Sequence, residues 1–252
     1  MILHFENWYL RFFELAHLVP KKLLQMRLRN GLKFFVRAYS SDISCFQSIT
    51  MENEYFRYFN VMPGDTVVDI GANIGSFAVP VAYREPSVRM VVVEPVEANV
   101  SLLKKNIEAN KLANVSVVRA AISNSTEKLT IYHGKGTWHA SGSLYKIDAT
   151  DSGLKEEVPS KTLEQLFSEQ KIEHCNFLKM DCEGAEYKIL FNLSDAMWNK
   201  IDKIALEFHN FEAGKNQFDI IKLLESKGYR TILPKKWEKK EIGNIFAVKN
   251  YV

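Results

Sequence analysis

Residues Thr66 to Phe77 read TVVDIGANIGSF. Val67, Val68 and Ile70 form a short β-branched run, Asp69 stands near its end, and Gly71 and Gly75 bracket a reversal before an apolar stretch resumes. This is the pattern of a strand, a glycine turn and a helix start. Glycine suits such a turn because a backbone without Cβ reaches positive φ and lets a ligand approach its N–H groups. Asp69 makes the turn selective, since a carboxylate accepts hydrogen bonds from an amine or a hydroxyl and repels phosphate.

Spacing separates two readings of this turn. A dinucleotide site carries G-x-G-x-x-G with the pyrophosphate on the helix N-terminus. Here Asn73 takes the place of the second glycine and Ile74 follows it. The next expected strand, Arg89 to Glu94, ends in a carboxylate one βαβ unit further on, where an acid can take both hydroxyls of a ribose. Two acids at neighbouring strand ends with glycines between them suit S-adenosyl-L-methionine, which presents a sulfonium, an α-amine and a ribose. The bland alternative is an ordinary βα turn with a surface Glu.

A length of 252 residues with 46% hydrophobic content can bury a proper core, and suits one α/β domain with an appendage. A net charge of +3 is too mild for the clustered basic footprint of a nucleic-acid partner. Cys45, Cys175 and Cys182 show no C-x-x-C spacing, so neither a disulfide framework nor a zinc knuckle is expected, and a cytoplasmic location fits. No apolar run reaches the roughly 18 to 20 residues of a bilayer crossing.

Met1 to Val19 carries Phe5, Trp8, Tyr9, Phe12, Phe13 and Leu15 at helical spacing before Pro20, and Lys21, Lys22, Arg27, Arg29, Lys33 and Arg37 follow. An aromatic helix beside a basic segment reads either as peripheral contact of residues 1–37 with the inner face of an anionic membrane, or as a helix packed on the main domain, over the site or in a homodimer contact. Strands are expected at Gly31 to Ala38 and Asp42 to Ile49, a helix from Met51 to Phe59, and a turn at Met62-Pro63-Gly64.

From Asp65 onward strands at 66–70, 89–94, 115–119, 176–181 and 202–209 alternate with helices at 75–83, 97–110, 185–192 and 216–227, and strands near 229–233 and 244–249 close the chain. Such alternation predicts a doubly wound, mostly parallel Rossmann-like α/β sheet. An insertion, Ile122 to Glu164, interrupts it after the third strand. Lys128 to Tyr132 and Gly142 to Lys146 read as a hairpin, followed by a polar loop from Asp148 to Glu157. Trp138, His139 and Tyr145 are candidate acceptor contacts there.

Asn176 to Glu186 reads NFLKMDCEGAE. Asp181 ends a strand beside the proposed crevice, where a methionyl amine or an acceptor hydroxyl can meet it, whereas Glu183 and Gly184 turn into a helix whose N-terminus favours an acid. In the next strand Glu207 and His209 share the face opposite Ile204, Leu206 and Phe208. A charge in a strand covered on both sides needs a partner, and parity predicts an ion pair between Lys179 and Glu207.

These stretches, VVDIGANIGSF, VVVEP with Asn99 downstream, LKMDCEGAEYKIL and ALEFH, resemble in order and spacing the FkbM family of S-adenosylmethionine-dependent methyltransferases, over roughly residues 31–250. The resemblance implies a class I methyltransferase domain at 61–252 behind an N-terminal helical and β extension at 1–60. It implies O-methyl transfer to a hydroxyl of a sugar, glycan, glycolipid or macrolide-type acceptor. It places Asp69, Gly71, Asn73 and Gly75 around the methionine part of the cofactor, Glu94 on the ribose and Ala121 near the adenine. Asp181, Glu183, Glu207 and His209 would surround the acceptor.

Methyl transfer needs alignment and, for a weakly acidic hydroxyl, a base. His209 is the first choice for that base and Asp181 the second, with Glu183 as the orienting group. Acid–His clusters at strand ends are more often hydrogen-bonded than metallated, so no metal is expected. A nicotinamide-dependent oxidoreductase and a non-catalytic, membrane-associated binding module are the other readings. A nucleic-acid methyltransferase would carry an Asp/Asn-Pro-Pro-aromatic motif after the fourth strand, which is absent.

Overall fold

The computed structural model describes residues 4–20, 22–51, 55–56, 58–133, 142–143, 154–211 and 214–250. Strands β1 (Thr66–Ile70), β2 (Arg89–Val93), β3 (Val115–Val118), β4 (Cys175–Met180), β5 (Ile201–His209), β6 (Tyr229–Ile232) and β7 (Ile242–Lys249) form one sheet. Their spatial order is β6-β7-β5-β4-β1-β2-β3. β1 to β5 run parallel, and β7 is antiparallel to both β5 and β6. The chain moves outward from β1 to β3 and then returns to lay β4 on the other side of β1. That reversal opens a crevice at the carboxyl ends of β1 and β4, where open α/β sheets bind ligands.

The α-helices among the described residues are α1 (Tyr9–Leu15), α2 (Asp42–Met51), α3 (Ala78–Arg84), α4 (Glu97–Ala109), α5 (Leu163–Glu169), α6 (Glu186–Leu190), α7 (Asp195–Trp198) and α8 (Gln217–Ser226). Both faces of the sheet are buried, which is why its strands read as β-branched runs without alternation. On one face Val68, Ile70 and Leu178 pack with Phe167, Tyr187 and Trp198. On the other, Val67, Val92 and Phe177 share a core with Phe34, Phe46 and Tyr55 of the N-terminal extension. The extension thus forms one layer of the fold.

The expected strand at Asp42 to Ile49 is instead helix α2. Its β-branched and aromatic content favours extended structure locally, but Ile43 and Phe46, three apart, are both fully buried, and tertiary burial of that helical stripe overrides propensity. The basic stretch before it contains a strand, Leu23–Arg27, paired antiparallel with Lys33–Arg37. Tyr55 and Phe56, in the expected helix Met51 to Phe59, lie in a turn.

The insertion also differs in part. Leu129–His133 is a strand and Gly142–Ser143 pairs with it, as in the expected hairpin, yet its longer partner is Leu154–Val158, in register Leu129 with Val158. That segment lay in the expected polar loop. The alternation of LKEEV explains it, since Lys155 and Glu157 are exposed while Val158 is fully buried. Trp138, His139 and Tyr145 lie outside the described residues. Helix α5 was hidden by the insertion, although Thr162 and Gln165 form a reciprocal capping box that marks its start.

Candidate active site

The first glycine turn is built by steric necessity. Gly71 has φ +76°, and a Cβ there would lie 1.7 Å from the carbonyl oxygen of Asp181. Gly71 is therefore glycine because the ends of β1 and β4 touch, more than because a ligand must approach it. Asp181 N–H donates to the Ile70 carbonyl at 2.9 Å, continuing that contact. Gly75, at φ +90°, faces Leu103 and Val79 of the flanking helices. It shapes the turn and does not line the cavity beside it.

That cavity holds about 600 Å³ of space, its mouth included. Gly71, Asn73, Glu94, Ala121, Asp181 and Glu183 line it, together with the apolar Val93, Ile122 and Ile131. Five of the seven predicted cofactor residues thus meet in one place. Asp69 and Gly75 stand behind the lining. Ile131 comes from the insertion and packs with Val96, Ala121 and Val158, so the inserted strands wall the apolar end.

Glu94, at the end of β2, receives three donors: Asn73 N–H at 2.9 Å, Val96 N–H at 3.1 Å and the Asn99 amide at 3.1 Å. Burial pushes its carboxyl up, and these hydrogen bonds pull the other way. Asn99 in turn accepts from Arg37 at 3.0 Å, and Arg37 grips Asp42 through its Nε and Nη2 at 2.8 Å each. A continuous chain of polar contacts therefore ties the N-terminal extension to Glu94. Asn73, at φ +51°, leaves its buried Oδ1 without a hydrogen-bond donor among the described residues. A buried acceptor in that state beside a cavity is a place for a ligand donor.

At the other end, acids outnumber cations. Lys179 does share a face with Glu207, as parity requires, but its register neighbours are Asp69 and Ala205. Its ammonium turns to β1: it lies 3.1 Å from Asp69 and 3.7 Å from Asp181, and donates at 2.8 Å to the Gly71 carbonyl. The expected Lys179–Glu207 pair is replaced by Lys179–Asp69, because the fully buried Asp69 needs the charge more than the half-buried Glu207 does. Tyr55, absent from the sequence-based site, donates from its hydroxyl to Asp181 at 3.3 Å, and Lys179 sits 5.5 Å from its ring centre. Nothing in the local pattern around Tyr55 marks it, since it is brought in by the fold of the extension.

The turn after β4 is held by Glu186, also unforeseen. This fully buried carboxylate accepts from Cys182 N–H at 3.0 Å and Gly184 N–H at 3.1 Å, which fixes Glu183 at φ +51° and Gly184 at φ +104°. Its Oε1 also lies 3.2 Å from His209 Nδ1. Glu183 Oε2 stands 3.5 Å from His209 Nε2. Glu186, rather than Glu183, is thus the group that orients the imidazole.

Electrostatics separate these groups. Burial alone would lower the His209 pKa, but the hydrogen bond and charge of Glu186, with Asp181 and Glu183, outweigh it and raise the imidazole to about 9. Burial, then the charge of Asp181, raises Glu183 to about 7, against the pull of His209. His209 is a cation at neutral pH, and Glu183 is poised to gain or lose a proton there. Asp181, Glu207 and His209 also bring one ligand atom each within 4.8 Å of one another, a spacing that admits a divalent ion as well as a shared proton.

A seven-stranded sheet of this order, with the antiparallel β7 between β5 and β6, is the sheet of the class I methyltransferases. A family description, the methyltransferase FkbM domain, matches residues 69–231. The chain belongs to the FkbM methyltransferase family. It is 29% identical over 185 residues to methyltransferase 1 of Beauveria bassiana, covering 66% of this chain and 73% of that one. It is 28% identical over 206 residues to the AMB antimetabolite synthetase AmbE of Pseudomonas aeruginosa, covering 67% of this chain and 10% of that much longer one. To the 31-O-demethyl-FK506 methyltransferase FkbM of Streptomyces tacrolimicus it is 23% identical over 214 residues, covering 74% and 81%.

Proposed function

We propose that the protein transfers a methyl group from S-adenosyl-L-methionine to a hydroxyl of a sugar, glycan or other natural-product acceptor. The observation that carries this reading is the single cavity with Glu94 and the orphaned Asn73 Oδ1 at one end and Asp181 with Glu183 at the other. The donor set fits the nucleoside: Glu94 suits a ribose diol, the Ala121, Ile122 and Ile131 wall suits an adenine, and the surplus of acids suits a cationic amine and sulfonium. When bound, S-adenosylmethionine supplies an electrophilic methyl carbon already activated by its positive charge.

The chain's own residues align and deprotonate the acceptor. Glu183, held near pKa 7, matches the requirement that a general base titrate near the working pH. His209, protonated and fixed by Glu186, keeps the carboxylate of Glu183 in place and offsets its charge. Proton removal thus moves from His209, the first choice from sequence, to Glu183, with Asp181 the second acceptor in both readings. O-methylation agrees with the reaction in the name of the Streptomyces relative. A role in the cytoplasm agrees with its free cysteines, and among the described residues no helix is long and apolar enough to cross a membrane.

Calorimetry with S-adenosylhomocysteine and with NADH tests the cofactor, and only the former is expected to bind. Incubation with labelled S-adenosylmethionine and fractionated host extract tests the transfer. Label recovered in an alkali-stable ether, with no loss of activity in EDTA, is the expected result; label confined to the cofactor sinks the reading.

A further inference from the structure

Helix α1 is inverted. Its one buried residue is Glu14, 2% exposed, while Phe12 and Leu15 are 63% and 64% exposed. A surface helix normally buries its apolar stripe and shows its charges. Here the carboxylate is the anchor: Glu14 accepts from Tyr39 N–H at 2.7 Å and pairs with Arg11, which also donates to Ser44 of α2 at 3.3 Å. Trp8, Tyr9, Phe12 and Phe13 stack edge to face along the outside, and Leu18 continues the surface at 69% exposed. The inversion is enforced from both ends of the segment, by the fully buried Phe5 bridged to Leu28 and by the Tyr39 hydroxyl donating to the Val19 carbonyl.

Charge says what the face meets. Residues 1–37 carry seven Lys and Arg against two Glu, whereas the remaining residues carry 26 against 28 Asp and Glu; Arg11 and Arg37 are paired with Glu14 and Asp42, and Lys22, Arg27 and Arg29 are exposed. Lys22 and Arg27 border a groove whose other wall is Tyr9 and Leu10 of α1. Aromatic rings flanked by exposed cations match the layered chemistry of an anionic bilayer surface, rings at the acyl boundary and cations among the headgroups. We propose that α1 and the segment to Arg29 form a membrane-docking surface for anionic lipid. Helix α2 links this surface to the acceptor side of the site, since Ser44 touches α1 and Tyr55, just beyond α2, touches Asp181.

The test is co-sedimentation of the full chain with phosphatidylglycerol–phosphatidylcholine vesicles and with pure phosphatidylcholine, at low and high salt. Binding to the anionic vesicles that weakens with salt is expected, and Phe12→Ser with Leu15→Ser should reduce it by at least about tenfold. Both side chains are solvent-facing, so the variant should keep its thermal midpoint and its calorimetric affinity for S-adenosylhomocysteine. Those two readouts exclude misfolding and do not depend on methyl transfer. Absence of binding to anionic vesicles overturns the proposal, as does binding indifferent to the double substitution. A concentration-dependent dimer that the same substitutions disperse, with no vesicle binding, assigns the face to a second copy of the chain instead.

Discussion

The ammonium of Lys179 stands 3.1 Å from the carboxylate of Asp69, its register neighbour across β1 and β4. Both groups are buried, and among the described residues neither Asp69 oxygen receives a well-directed hydrogen bond. Burial raises the Asp69 carboxyl, while the Lys179 ammonium is raised by Asp69 and Asp181 against its own burial. The two conserve each other's charge, and through the Gly71 carbonyl Lys179 also fixes the turn that shapes the cavity.

Lys179→Met therefore leaves Asp69 without a compensating cation. Removing one partner of a buried pair costs about 3–5 kcal/mol, so the variant should unfold at markedly lower urea. Asp69→Asn together with Lys179→Met should recover much of that loss. Equal stability of the single and double variants would show that the pair is not the source.

Gly71→Ala tests the contact between the two strand ends. The new Cβ would lie 1.7 Å from the Asp181 carbonyl oxygen in a backbone of φ +76°, so β4 must move and take Asp181 with it. Affinity for S-adenosylhomocysteine should fall by at least about tenfold, since each 1.4 kcal/mol of misplacement is a factor of ten. Wild-type affinity would mean that the turn relaxes without disturbing the site.

The sheet was legible because buried parallel strands write themselves as β-branched runs, and β1 and β5 fall within a residue of their expected bounds. Part of the cavity lining was legible for a related reason: Gly71, Asn73 and Glu94 sit at strand ends, where position along the chain fixes position in space, whereas Asp69 stands behind the lining. Partners across the sheet were not. Parity placed Lys179 on the correct face but could not decide between β1 and β5 as its neighbour, because strand order is not written in either strand. Tyr55 and Glu186 enter the site through tertiary packing and a turn geometry with no local signature, and α2 buries a helical stripe that reads as a strand.

Glu183 and His209 make different claims on the pH profile. With Glu183 as base, turnover should rise with pH through an apparent pKa near 7, and Glu183→Gln should remove that limb and lower kcat by about 10²–10⁴-fold while cofactor affinity is retained. If neutral His209 were the base, the rise would instead fall near 9. The position of the acid limb in wild-type enzyme, measured with saturating acceptor, decides between them.

His209 also makes a stability prediction whose sign is fixed. Its folded pKa is raised from 6.5 to about 9, so the folded state holds the proton more tightly. The stabilisation is fully present below pH 6.5 and is lost as pH rises through 9. A shift of that size corresponds to about 3 kcal/mol, shared with Glu183, whose own titration is coupled to it. Urea unfolding of His209→Gln and its parent, both in a Glu183→Gln background, isolates the imidazole. The stability gap between the two should be widest near pH 6 and should narrow by pH 9.5, because Gln can still donate to Glu186 but carries no charge to lose. A gap that stays constant across that range would assign the stabilisation to packing of the ring, and the imidazolium–Glu186 contact would then not be what holds the turn.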